Sequence, residues 1–386
     1  MKNKLDKFTK LSIIIIVIGI IIRFYLASVH HVSGDACWQL SNARFIAENK
    51  RLPLFEQFGR DEPFWAPPLF HIAAAFAYSL FQAFGAAAAE FAAKMLSPLF
   101  SSLALIFSFM IFKKLADKRV AFYGIMFLSF IPLSLDYGVY SYIDGIISFP
   151  AVLAVYFMLQ NKMLHAGIAA GLTILTKYNG MFILPVLLYI AYAQNKNNRR
   201  DFLKKALIIL IVSGAIGSVW FLRNWIYLDN PVWPFMNNIF HGYEAKSFSE
   251  SGVGSVNILN IFNINAAKFM YLEIFGVPGG NINSLNLIRV PYFKPLFLIW
   301  FTATLIFSVP LVAGAFSNKL KFRSLLFLWI LAFFLLALLY VVNASWSVAR
   351  FMLPAFPAVA LLWAYGFDRI QSKSNTALII ALLIMA

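Results

Sequence analysis

Charge is scarce in this chain. Only 12% of its 386 residues are Asp, Glu, Lys or Arg, about half the share found in soluble domains, which excludes a soluble globular protein. Acids are scarcer still, 16 against 32 Lys and Arg. In a soluble chain the net charge of +16 would point to nucleic acid, but the basic residues lie in short stretches between apolar runs. Membrane topology therefore accounts for them better than a polyanion does. The single cysteine, Cys37, excludes a disulfide framework and a cysteine-rich metal site. His30, His31, His71 and His241 show no metal-ligand spacing. There is no internal repeat and no stretch that reads as a separate soluble domain, so residues 1–386 are taken as one integral-membrane domain.

Hydrophobic residues, 61% of the chain with 41 Phe among them, fall into blocks of lipid-crossing length instead of core-helix spacing. The fold class is an all-α polytopic membrane protein. Residues 11–29 form the first retained span, too long for the apolar region of a signal peptide. Lys2, Lys4, Lys7 and Lys10 precede it, which places the N-terminus in the cytoplasm. Further spans are predicted at 95–112, 120–135, 145–160, 164–176, 179–193, 206–222, 295–316, 324–342, 351–367 and 376–386, for about eleven transmembrane helices in all. The last run is short for a crossing and reads as a partial helix or a cut one. The pair 164–176 and 179–193 reads as short or broken helices lining a cavity.

Residues 66–84 are apolar enough to span, and charge parity decides against it. If they lie in the interface, the N-terminus and the loops 113–119, 161–163, 194–205, 317–323 and 368–375 share one side and carry 19 Lys and Arg against four acids. If they cross, every later basic loop moves outside. Two long outer segments, 30–94 and 223–294, then form the face where chemistry is expected.

Ionisable residues at the edge of hydrocarbon are costly and mark functional sites. Asp35 follows Gly34 just past the first span. Taken alone it reads first as the N-cap of a helix over Trp38 to Asn49, and second as a general base for an acceptor hydroxyl. Asp144 closes a loop rich in tyrosine, Tyr137, Tyr140 and Tyr142, and reads equally as a cap and as a site carboxylate. Lys177, at the outer tip of a broken helix pair, calls for an anion, phosphate being the common one, with a snorkelling lysine as the bland alternative. Arg223 and Arg350 present planar forks suited to phosphate oxygens or to interfacial anchoring. Asp61, Glu62, His71, Tyr140, Tyr178 and Trp233 are candidate substrate contacts. Aromatic belts would supply as many rings as a sugar platform does.

The order of these features resembles a family. An outward Asp after the first span, Pro67-Pro68-Leu69, the Asp144 loop, Leu175-Thr176-Lys177-Tyr178, Arg223-Asn224, Asn230-Pro231-Val232-Trp233-Pro234 and Arg350-Phe351-Met352-Leu353-Pro354 together look like the C-type glycosyltransferases, in the branch of the protein O-mannosyltransferases and lipid A aminoarabinose transferases. The resemblance implies inverting transfer of a sugar from a polyprenyl-phosphate donor to a glycan, lipid or protein acceptor outside the cytoplasmic membrane. It implies Asp35 as base, Asp144 as the second acidic position, and Lys177, Arg223 and Arg350 near the donor phosphate. Ala36 stands where many members carry a second carboxylate, so no metal is assigned and divalent-metal use stays open. The alternative reading is a transporter or flippase of a lipid-linked sugar, which also uses broken helices and midmembrane polar groups.

Overall fold

The computed structural model describes residues 6–56, 62–244, 274, 307–339 and 349–371. Asp61, most of the loop 223–294 and the run 376–386 lie outside the described residues. Helices dominate, and among the described residues the extended pairing is a single isolated bridge, Phe55 with Pro63.

α1, Lys7–Val29, starts at an N-cap where Asp6 accepts the Thr9 amide at 3.2 Å and the Thr9 hydroxyl at 2.7 Å. It ends where His30 turns extended. α2 is Asp35–Asn49, α3 is Leu69–Phe81 and α4 is Ala86–Lys94. The three pack against one another, and Lys94 Nζ donates to the His30 carbonyl at 2.5 Å. The excursion 30–94 therefore leaves and returns at one end of the bundle, as the charge-parity argument requires of a segment that does not cross. α5, Leu96–Leu115, continues from α4 as an apolar stretch of 30 residues.

The span expected at 120–135 is broken. α6, Lys118–Phe130, and α7, Pro132–Val139, are bent by 56°, because Pro132 brings no amide and disfavours helical backbone at Ile131, which is extended. Arg23, wholly buried inside α1, donates to the Ser129 carbonyl at 3.0 Å beside this break and to Gly19 at 3.1 Å. A cation at a helix C-terminus meets the exposed carbonyl dipoles there.

α8, Ile143–Ile146, and α9, Ser148–Leu159, form one short apolar span. α10, Met163–Thr176, is followed by a 3₁₀ turn at Tyr178–Ile183 and by α11, Leu184–Gln194, the broken pair that the sequence predicts. α12, Arg199–Leu228, is longer than the 206–222 expected. It lies close along α10, where Gly167 and Gly171 share one face. A Cβ on Gly171 would come within 2.7 Å of Ile216, the close approach that small residues permit between membrane helices. The short α13, Asn237–Phe240, follows a cis Trp233–Pro234 bond. Residues 307–315 are helical, α14 is Arg323–Leu339, and a 3₁₀ segment, Ala349–Ala355, leads into α15, Phe356–Gln371. α15 is the core helix: its Trp363 stacks between Phe127 of α6 and Phe367, at 4.7 and 4.8 Å.

Four described helices, or five with the bent α6–α7 pair, are long and apolar enough to cross a bilayer, and four more apolar helices are shorter. This is an integral membrane protein. One end of the bundle gathers the start of α1, the start of α6, the 317–323 loop and the end of α15. There Lys118 pairs with Asp6 at 3.1 Å, and buried Asp368 pairs with Arg119 at 3.0 Å and Lys319 at 2.8 Å. The opposite end of α1 and α15 carries the cluster described next.

Candidate active site

Four elements end together where α1 gives way to α2. The α2 helix begins at Asp35 itself. Its N-cap is Gly34, which has no side chain to offer, so the capping role is not what Asp35 does, and its carboxylate stays 64% exposed. A carboxylate in the first turn still lies in the favourable field of the helix start. Asp144 sits in the first turn of α8 and is buried. Lys177 occupies the break after α10, where the chain turns extended before the 3₁₀ segment. Arg350 is the second residue of the 3₁₀ run that enters α15.

These residues, up to 315 positions apart in sequence, meet in one charged cluster. Lys177 Nζ donates to Asp144 Oδ1 in a buried ion pair. Arg350 stands between the two carboxylates, 3.6 Å from Asp35 Oδ2 and 4.0 Å from Asp144 Oδ2. Phe351 lies beneath both cations, 4.3 Å from Lys177 Nζ and 5.7 Å from the Arg350 guanidinium carbon. A cation over a ring face gains electrostatic attraction where water is excluded. Two cations and two carboxylates thus meet in one cluster, with the Asp35 side chain open to solvent.

The remaining sequence candidates fall elsewhere. Arg223 spends its guanidinium on the segment between α2 and α3: it donates to the carbonyls of Phe64 at 3.0 Å, Pro53 at 3.1 Å and Leu54 at 3.3 Å, and lies over Trp220. Tyr178 is buried, and its hydroxyl receives Trp220 Nε1 at 3.0 Å and Asn224 Nδ2 at 2.7 Å while donating to the Trp233 carbonyl at 2.8 Å. Trp233 is buried with its indole N–H on the Tyr243 carbonyl at 2.8 Å. His71 is enclosed by Trp38, Phe64 and Phe70. Burial lowers its pKa to about 3, so it is neutral at ordinary pH. Glu62 is buried and its carbonyl accepts the Glu56 amide at 2.8 Å. Tyr140 packs edge-on against His30, with ring centres 4.0 Å apart. Trp38 is likewise committed, its indole N–H bound to Glu56 at 2.7 Å. Among the described residues no group of three His, Cys, Asp or Glu side chains comes together as a metal-ligand set.

Two members of the site escape a reading of charges alone. Phe351, one of 41 Phe, enters the sequence reading only as a neighbour of Arg350 in a motif, with no role of its own. Tyr142, in the loop between α7 and α8, places its ring 6.0 Å from the Arg350 guanidinium.

This helical scaffold is similar in fold to solved membrane proteins that include ArnT and an archaeal oligosaccharyltransferase. Residues 65–227 match the family of dolichyl-phosphate-mannose-protein mannosyltransferases. ArnT from Cupriavidus metallidurans, in the apo state, superposes with a TM-score of 0.62 at 17% identity, covering 96% of this chain and 62% of that one. The same enzyme bound to undecaprenyl phosphate gives 0.62 at 16% identity, covering 96% and 63%. The oligosaccharyltransferase AglB from Archaeoglobus fulgidus, in complex with an inhibitory peptide and a dolichol-phosphate, gives 0.56 at 14%, covering 98% and 54%. The chain therefore spans about six-tenths of the length of the first of these structures. No curated protein matches the sequence.

Proposed function

We propose that the chain is a membrane glycosyltransferase that moves a sugar from a polyprenyl-phosphate donor to an acceptor hydroxyl or amide, with inversion. The observation that carries this reading is the meeting of Asp35, Asp144, Lys177 and Arg350 in one cluster. Asp35 takes the proton from the acceptor as its heteroatom attacks the anomeric carbon. The bond from that carbon to the phosphate oxygen breaks, and the lipid phosphate leaves with the electron pair. Lys177 and Arg350 face the charge that grows on the departing phosphate, and Asp144 holds both cations in place. A phosphate leaving group needs no general acid. Arg223 acts at a remove, by holding the first outer loop against α12.

The relatives support the donor class: one is bound to undecaprenyl phosphate and another to a dolichol-phosphate. The site is assigned to the extracytoplasmic side because the basic loops gather at the other end of the bundle. Cys37 is exposed, two residues beyond Asp35. An impermeant thiol reagent added to intact cells therefore labels it on this reading, and labelling only after lysis reverses the orientation.

The test of function is incubation of the protein in lipid with radiolabelled polyprenyl-phosphate sugars and a native membrane extract, with and without a chelator, and with Asp35→Asn as control. Donor consumption that depends on Asp35 supports the transferase. Consumption unaffected by Asp35→Asn removes the base assignment, and donor binding without consumption favours a carrier of lipid-linked sugar. Loss of turnover in chelator alone assigns a divalent ion.

A further inference from the structure

Phe351 lies in the 3₁₀ run Ala349–Ala355, directly after Arg350. That run is firmly seated: Met352, Leu353 and Pro354 are buried, and the buried Trp329 of α14 donates its indole N–H to the Pro354 carbonyl at 3.0 Å. The Phe351 ring is partly buried and packs against the main core of the bundle. The Lys177 ammonium stands 4.3 Å from its centre and the Arg350 guanidinium carbon 5.7 Å. These two cations share Asp144, and one buried carboxylate offsets only one of two positive charges. The other carboxylate, Asp35, is 64% exposed, and an ion pair open to water contributes little. A phenyl face adds negative potential without a further charge to desolvate and without a polar atom that needs a partner. An ammonium carries three donors, and among the described residues Lys177 Nζ gives one of them to a partner, Asp144 Oδ1.

We infer that Phe351 is a positioning residue for the donor phosphate: its ring face holds the Lys177 ammonium, and more weakly the Arg350 guanidinium, where both can meet phosphate oxygens. The inference rests on the transferase reading for its effect on turnover, while the hold itself can be measured without a substrate. Attraction of a cation to a ring face falls with distance, so Lys177 gains more from the ring than Arg350 does. A lysine freed from the ring still pairs with Asp144 but loses the second contact that fixes its place. Stabilising the charge that grows on a leaving phosphate depends on donors placed in advance. Phe351 itself touches no reacting atom and acts through the two cations.

Fluorinated phenylalanines in place of Phe351 separate this role from packing, because fluorine draws negative charge off the ring face and changes the size of the side chain little. With trifluorophenylalanine there, the purified protein melts about 2 °C below the parent, the scale of one cation–ring contact in a chain of this size, and a single fluorine gives a smaller shift. In a Lys177→Met background the same replacement costs less than half as much. Trifluorophenylalanine in place of Phe333, buried in α14, shifts both backgrounds equally. Equal shifts for the Phe351 replacement in the two backgrounds overturn the hold on Lys177. In the transfer assay with radiolabelled polyprenyl-phosphate sugars, the trifluorinated protein loses about ten-fold in kcat with donor KM retained. Phe351→Leu, which keeps an apolar side chain and removes the ring, loses at least as much. An unchanged kcat in the fluorinated protein overturns the positioning role, since packing alone is nearly blind to fluorine. Full activity in Asp35→Asn removes the transferase reading, and the melting result then still decides whether the ring holds Lys177.

Discussion

Lys177→Met tests the charged cluster most directly. The Lys177 and Asp144 side chains keep only 13% and 4% exposure. Once the lysine is gone, the buried carboxylate has Arg350 alone, 4.0 Å away. Breaking a buried ion pair on one side costs about 3–5 kcal/mol, and the surviving arginine puts this case near 3 kcal/mol. Asp144→Asn costs about as much, because Lys177 then rests on little besides the face of Phe351. The double variant, Lys177→Met with Asp144→Asn, buries neither charge and recovers at least half of the summed loss, since uncompensated charge carries most of the cost. The assay is thermal unfolding of the purified proteins in a single detergent. At about 2 °C per kcal/mol for a chain of this size, each single variant melts about 6 °C below the parent. Losses that simply add in the double variant would refute the coupling, and with it the geometry on which the proposed donor site rests.

Three further outcomes follow from the surroundings of the site. Arg223→Lys cannot reproduce a fork that reaches three carbonyls, so it loses about 2 kcal/mol and speeds native-state proteolysis within residues 50–66; an unchanged digest contradicts the clamp. Tyr178→Phe leaves the Trp220 and Asn224 donors and the Trp233 carbonyl short of a partner, a loss of about 3 kcal/mol in the same melting assay, and a neutral result would show that the hub is not formed. Asp6 is held down to about 2, first by the Thr9 hydroxyl. Its folded pKa lies below the unfolded one, so its hold on the start of α1 is complete above pH 4 and fades as pH falls towards 2. Hydrogen exchange at the first amides of α1 rises over that window in the parent, and Asp6→Asn flattens the pH dependence.

Much of the architecture was legible in the residues taken in order. Apolar blocks of bilayer length identify the class, and the helix Leu96–Leu115 falls within three residues of the span read at 95–112. The break after Thr176 is legible because Lys177 interrupts an apolar run. The charge count made 66–84 a segment that does not cross, and the return of Lys94 to His30 agrees with it. The boundaries that shifted have local causes: Pro132 splits one span, and a polar first turn, Arg199 to Asp201, extends α12 below the apolar window.

The sequence by itself determined which residues are costly near lipid, and Asp35, Asp144, Lys177 and Arg350 stand out one at a time for that reason. Hydrophobic transfer and helical hydrogen bonding act over a few residues, so they can be summed along the chain. What only the tertiary structure decided is which of these charges share a site. Arg223, Tyr178 and Trp233 look equally ligand-ready in sequence, yet each is consumed by backbone and side-chain partners brought in from other segments. Coulomb and hydrogen-bond energies depend on ångström distances between groups far apart in sequence, and those distances exist only once the bundle has packed α1, α8, α10 and α15 around one point.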